Sequence, residues 1–205
     1  PAVDGLNLAA AGVSHDAAGI GVDRQLRTTN NRIHAIGDVV AGPASVSRAE
    51  YHAGLVLKSA LFRTPVRSYA AAAPSITWTD PAVAAVGLSE AAAREQHKEV
   101  RVLRLPLSEC VQSLADRTTT GLVKVVALPS GRILGAAAVG RDAGEVIAPW
   151  SLAIANRLPI TAMQELNAPY PARADVSRRV AATFDGPGLT PIRRRRIIEF
   201  LRKFG

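Results

Sequence analysis

Three kinds of group in this 205-residue sequence could do chemistry: a carboxylate directly after a glycine, hydroxyls where a helix begins, and a phenol five residues ahead of a second carboxylate. The first is Asp38, in the run Arg-Ile-His-Ala-Ile-Gly-Asp-Val-Val of residues 32–40. Ile33, Ala35 and Ile36 predict a short buried strand, and Gly37 predicts a sharp turn that lets the backbone approach whatever lies at the strand end. Asp38 would then stand at a carboxyl edge of a sheet, where α/β folds bind ligands and where a carboxylate accepts a hydrogen bond from a ribose hydroxyl. Taken alone, Gly-Asp after an apolar run is more often an ordinary turn. From about Ser45 a helix is predicted, with Ala49, Ala53, Val56 and Ala60 on one face. Its unpaired first amides favour negative charge on a ligand beside Ser47. Simple capping by Ser45 or Ser47 is the alternative. The phenol is Tyr170, in Tyr170-Pro171-Ala172-Arg173-Ala174-Asp175. A phenol, titrating near about pH 10, is a poor base at neutrality but a good hydrogen-bond donor. The histidines, His15, His34, His52 and His97, are all distant from it in sequence, and no metal-ligand set is assigned. Cys110 is the only cysteine, so no disulfide or dithiol forms within these residues, and the lone thiol reads as packing.

The elements that must carry these groups fall into two parts. Residues 1–22 hold short apolar pieces, Leu6 to Ala11 and Ile20 to Val22, broken by Gly12, His15, Asp16 and Gly19, with no helix of usable length. Ser68 to Pro74, with four consecutive alanines, reads as a linker. A new unit starts at Ser75. Ser75 to Thr79, Val83 to Val86 and Val100 to Leu105 read as strands, and Ser89 with Glu90 opens a helix to about His97. Leu122 to Leu128 and Ile133 to Val139 are strands joined by the hairpin signal Pro129-Ser130-Gly131-Arg132. Asp142 with Glu145, and Thr161 with Gln164, have the spacing of capping boxes. Val146, Ile147, Trp150, Ala153 and Ile154 follow the first of these at helical spacing, with Trp150 read as core rather than as an interface anchor. Val176, Val180 and Phe184 line a last helix. Strands, a hairpin and packed helices in this order predict an α+β domain with an antiparallel sheet.

An apolar content of 48% is that of a globular chain. No apolar run reaches the roughly 18 residues of a membrane span and no basic signal-peptide start is present, so a cytoplasmic location is the default expectation. The net charge of +8 is concentrated at one end: six basic residues against Glu199 in 186–205 leave +3 on the rest. That distribution argues against a nucleic-acid partner. Thr190-Pro191 predicts the start of a helix with Ile197, Leu201 and Phe204 on one face and Arg193 to Arg196 around it. Contact of this amphipathic tail with anionic lipid is the weaker reading. The favoured one is a solvated tail packed on its own domain.

The run Thr28-Thr29-Asn30-Asn31-Arg32-Ile33-His34-Ala35-Ile36-Gly37-Asp38 resembles the second flavin fingerprint of the pyridine nucleotide-disulfide oxidoreductases, T-x-x-x-x-(I/V)-(Y/F)-A-x-G-D. The resemblance continues in order through Thr79-Asp80-Pro81, Val86-Gly87, Gly121, Gly135 and Tyr170-Pro171, covering about residues 5 to 185. It is nearest the mercuric reductase-like and dihydrolipoamide dehydrogenase-like branches. It implies an FAD-dependent, NAD(P)H-linked oxidoreductase, with Gly37, Asp38, Val46 and Ser47 at the flavin. Residues 1–72 would be the C-terminal remnant of an α/β FAD-binding domain, 73–186 the dimerisation domain of a homodimer, and 187–205 a basic tail. The family's Gly-x-Gly-x-x-Gly pyrophosphate loop, its redox-active cysteine pair and its NAD(P)H loop are not among these residues. The resemblance therefore implies the C-terminal portion of a longer enzyme, inactive alone. A free-standing dimerisation or regulatory module from a truncated gene, binding no cofactor, is the alternative.

In the thiol-reducing members this domain ends His-Pro-Thr-x-x-Glu. Here Tyr170 stands at the histidine position, Ala172 at the threonine and Asp175 at the glutamate. The resemblance implies that Tyr170 and Asp175 are the catalytic pair, with a tyrosine as in the mercuric reductases. Those enzymes also carry a C-terminal cysteine pair, whereas the sequence here reads Arg202-Lys203-Phe204-Gly205, which argues against mercuric ion as substrate. The alternative is a turn fixed by Tyr170-Pro171, with Asp175 paired to Arg178 or Arg179 on the helix surface.

Overall fold

The computed structural model describes residues 1–69, 72–185 and 199–204. They form two compact units, Pro1–Ser75 and Ile76–Gly205.

In the first unit, β1 (His15–Asp16) pairs antiparallel with β2 (Gly19–Ile20). The Asp16 carboxylate closes their turn by accepting the Ala18 amide at 2.8 Å. Val13, Ile20, Ala35 and Val40 make a small buried cluster, flanked by partly buried Leu8, Val22, Ile33 and Val39. The strand expected over residues 33–36 does not form. The segment is extended but finds only single bridges, His34 with Arg27 and, beyond it, Val40 with Ile20, and Ile36 stays exposed. A strand needs a neighbour along its length, and here residues 26–28 lie beside it for a single bridge only, through Thr28 N to Ile33 O and Ala35 N to Leu26 O at 3.0 and 3.2 Å. Helix α1 (Val46–Phe62) follows, with Ser45 as its cap. Its expected alanine face is only partly realised. His52 is the buried position, Ala49, Ala53 and Val56 are half-buried, and Ala60 is exposed, because the helix packs on the turn at Gly37–Val39 near its start while Leu57, Leu61 and Phe62 stay exposed. Within the expected linker, the Ser68 amide donates to Arg24 O at 2.7 Å and Ala72 is buried. Ser68 is therefore tied to the first unit.

The second unit is built on a five-stranded sheet in the order β3-β4-β7-β6-β5. The strands are β3 (Ser75–Thr77), β4 (Val83–Gly87), β5 (Arg101–Pro106), β6 (Leu122–Ala127) and β7 (Ile133–Val139). The β4–β7, β7–β6 and β6–β5 pairs are antiparallel. Alternation sorts the side chains of β6: Val123, Val125 and Ala127 join one core, Val126 another. The larger core lies between the sheet and helices α4 (Ala143–Ala155), α5 (Ile160–Gln164) and α6 (Asp175–Ala182). On the other face Ala93 of α2 (Glu90–Gln96) packs with Val126 and Leu134. Ser89 caps α2 as expected, its Oγ accepting the Ala92 amide at 3.2 Å. The Glu90 carboxylate gathers Arg94, Arg104 and Lys124 at 3.0, 2.7 and 3.6 Å, tying α2 to β5 and β6. The hydrogen bond from Arg94, above all, holds that carboxyl below its usual range, with the charges of Arg104, Arg94 and Lys124 adding to it. A short helix, α3 (Val111–Ala115), lies between β5 and β6, where the sequence pattern shows no period long enough to reveal one.

Neither expected capping box forms. Asp142 stands at the α4 N-cap with φ +58° and makes no side-chain cap, its carboxylate accepting instead from Arg173 Nε at 2.8 Å. Thr161 lies inside α5, which starts after Pro159. Gln164 reaches across to Ala181 O and the Asp185 carboxylate, at 3.1 and 3.0 Å. Trp150 is core: it is fully buried, and its indole N–H donates to Ser177 Oγ at 3.0 Å. Cys110 is buried as well. Among the described residues no helix is long and apolar enough to cross a membrane. Thr190, Pro191 and the arginines 193–196 of the expected tail helix lie outside the described residues.

Candidate functional site

Gly37 needs to be glycine for two reasons. Its φ is +68°, and a Cβ there would meet Ala49 Cβ at 3.1 Å. It opens a single 3₁₀ turn, Gly37–Val39, that leaves Asp38 exposed with its carboxylate engaged by no described residue. Two side chains of α1, one helical turn apart, hold this turn. His52 Nδ1 accepts the Gly37 amide at 3.3 Å. The Arg48 guanidinium donates to Val40 O and Ala41 O, each at 2.9 Å, and to Pro43 O. Ser45 Oγ accepts the Arg48 amide at 3.2 Å, so Ser45 is the cap, and Ser47 Oγ lies 3.3 Å from it. Val46 and Ser47 are exposed in the first helical turn. Gly37, Asp38, Val46 and Ser47 thus belong to one small assembly of turn, loop and helix start. Arg48 and His52 were missed in the sequence, and their i, i+4 spacing is the signal that could have found them.

Burial, and then the positive charge of Arg48, push the His52 imidazole below its ordinary pKa. That favours the neutral ring, which Nδ1 must be if it is to accept from Gly37. The folded state therefore binds this proton less readily than the unfolded chain. The stabilisation from neutral His52 is complete above about pH 6.5 and is lost as pH falls below that value. The exchange protection of the Gly37 amide should decline over this acid range in the native sequence, and His52→Asn should flatten the decline. The same pH dependence in both proteins would rule out His52 as its source.

The second group of candidates sits in the other unit. Tyr170 lies in an exposed loop at 78% exposure, followed by a cis peptide to Pro171. Asp175 is the first residue of α6, and its Oδ1 accepts from Arg178 Nε at 2.8 Å. No hydrogen bond joins Tyr170 to Asp175, so the ion-pair arrangement of Asp175 is the one observed. Arg179 turns instead to the carbonyl and carboxylate of Glu109. Between the two candidates lies Arg173, which is buried with its guanidinium on Ser113, Asp116 and Asp142. One arginine in Pro-Ala-Arg-Ala gives no sign of burial in the sequence.

The profile of the pyridine nucleotide-disulphide oxidoreductase dimerisation domain matches residues 73–181, more than half of the chain. The chain belongs to this family. Among relatives in it, mercuric reductase of Bacillus cereus is 38% identical over 187 residues, which are 90% of this chain and 30% of that protein. Mercuric reductase of Streptomyces lividans is 36% identical over 183 residues, 88% of this chain and 39% of that protein. Dihydrolipoyl dehydrogenase of Geobacillus stearothermophilus is 36% identical over 156 residues, 75% of this chain and 33% of that protein. The chain thus spans about a third of the length of these relatives. LpdA from Mycobacterium tuberculosis shares the fold, with a TM-score of 0.79 at 24% identity over 89% of this chain and 40% of LpdA. The HOCl-induced flavoprotein disulfide reductase RclA from Escherichia coli shares it too, with a TM-score of 0.75 at 23% identity over 89% of this chain and 42% of RclA. Membership of the family explains the order of elements in the second unit, where the antiparallel sheet and the α4–α6 layer coincide with the matched residues.

Proposed function

We propose that this chain is the C-terminal portion of an FAD-dependent, NAD(P)H-linked oxidoreductase, supplying the last flavin-contacting segment and the homodimer interface. The observation that carries the reading is the match over residues 73–181, preceded by a Gly37–Asp38 turn that presents a carboxylate no described residue engages. The residues present fit a flavin. Asp38 is an exposed acceptor suited to a ribityl hydroxyl, and the start of α1 at Val46 and Ser47 carries amide donors suited to an electron-rich ring edge. When bound, FAD would relay a hydride from NAD(P)H to the acceptor substrate. No residue of this chain is assigned to NAD(P)H. In this reading residues 1–72 complete the FAD-binding domain and 73–186 form the dimerisation domain. Tyr170 of one protomer faces the flavin of its partner and donates a hydrogen bond to the acceptor. Asp175 is its partner carboxylate in the same reading, with Oδ1 accepting from Arg178 Nε at 2.8 Å and Oδ2 bound by no described residue.

One preparation tests both parts of this reading. Sedimentation at tens of micromolar should show a dimer, and FAD should not survive gel filtration with the chain, because the pyrophosphate-cradling glycine loop is not in it. A monomer would overturn the interface. Stoichiometric yellow cofactor would overturn the assignment of the pyrophosphate contact to residues outside this chain.

A further inference from the structure

We infer that Arg173 is the positioning residue for the Tyr170–Pro171 loop, an inference that rests on the proposed role of Tyr170. The loop runs from the end of α5 to the start of α6. Asn167, Pro169, Tyr170 and Pro171 are exposed, and residues 167–171 make no hydrogen bond to the other described residues. Apart from the φ angles fixed by Pro169 and Pro171, nothing in the loop itself fixes where the phenol stands, so the rest of its positioning comes from its two ends. On the α5 side Gln164 is bound to Ala181 O and Asp185. On the α6 side, three residues past Tyr170, the Arg173 side chain is 7% exposed.

A buried guanidinium is tolerated only when its donors are matched, and here each edge of the fork has its own partner. Nε donates to Asp142 at 2.8 Å, Nη1 to Ser113 Oγ at 2.9 Å, and Nη2 to Asp116. Gln112 Nε2 holds the other Asp116 oxygen at 2.6 Å, and Ser113 is fully buried. Three segments therefore meet on one planar group: the Tyr170 loop, the end of α3 and the start of α4. Asp142 gives up capping α4 to make this contact. A lysine ammonium is a point charge on a flexible stem and cannot reproduce a three-way planar fork. The Tyr170 loop is thus held by geometry that only arginine supplies.

Backbone ¹⁵N relaxation of the whole 205-residue chain reads this directly at Tyr170 and Ala172. In the native sequence these amides should have order parameters near those of rigid backbone, about 0.85. In Arg173→Lys, and separately in Asp142→Asn, they should fall below about 0.6. Phe184→Leu, which trims the same core without touching Arg173, should leave them unchanged at a similar loss of melting temperature. Unchanged order parameters in both Arg173→Lys and Asp142→Asn would overturn the inference. So would equal loosening in Phe184→Leu, or a Tyr170 amide that is already as mobile as a free terminus in the native sequence. Because the readout is mobility and not turnover, a catalytically silent Tyr170→Phe would refute the role of the phenol while leaving this result intact.

Discussion

Gly135→Ala should cost the second unit about 3 kcal/mol or more, at or beyond the upper end of what overpacking costs. A Cβ on Gly135 would lie 2.1 Å from Leu88 O and 2.8 Å from Leu88 N. These are backbone atoms, so no side chain can swing aside. The Leu88 amide donates to Leu134 O at 2.9 Å, and Gly135 pairs with Gly87, which itself has φ +76° and would bring a Cβ within 2.3 Å of Leu134 O. Relief of the clash means moving β4 off β7 in the middle of the sheet. Against a total stability of about 5–15 kcal/mol for a domain, that loss leaves little margin. Denaturant unfolding followed by circular dichroism measures it, and a midpoint within error of the native one would show that the strands part without penalty.

Tyr170→Phe in the complete enzyme should lower turnover by about tenfold to a thousandfold while flavin reduction by NAD(P)H keeps its native rate. The change deletes only a hydroxyl from an exposed ring, so it removes no packing that the described residues provide. The split between the two half-reactions separates a hydrogen bond to the acceptor from general damage. Single-turnover and steady-state rates give it, and unchanged turnover would reject any catalytic part for the phenol. The geometry of Asp175 adds a limit on redesign. Its Oδ1 is engaged by Arg178, so a histidine placed at position 170 would have to share that carboxylate with the arginine.

What the sequence revealed, and what it hid, follows from the range of the forces involved. The β6–β7 hairpin, the Ser89 cap and the burial of Trp150 depend on periodicity and near neighbours, which a reader of the sequence has in hand. The capping box at Asp142 fails because an arginine 31 residues away is a better donor for that carboxylate than a helix start. The residue 33–36 segment has a strand's composition yet remains a bridged extension, because a strand is completed by its neighbours. His52 was hidden in the same way: its burial is decided by the Gly37 turn, 15 residues earlier. At the candidate sites the residue types were legible, whereas the side chains that hold them, Arg48, His52 and Arg173, were not.

The two units differ sharply in how much apolar surface they enclose. The hydrophobic cluster of the first comprises Val13, Ile20, Ala35 and Val40, while that of the second runs from Ala84 to Phe184 through Trp150. The heat absorbed on unfolding scales with the amount of folded structure lost. A calorimeter should therefore register this protein as two heat-absorbing events of unequal size, the smaller at lower temperature, and a lone melting point would describe only the larger.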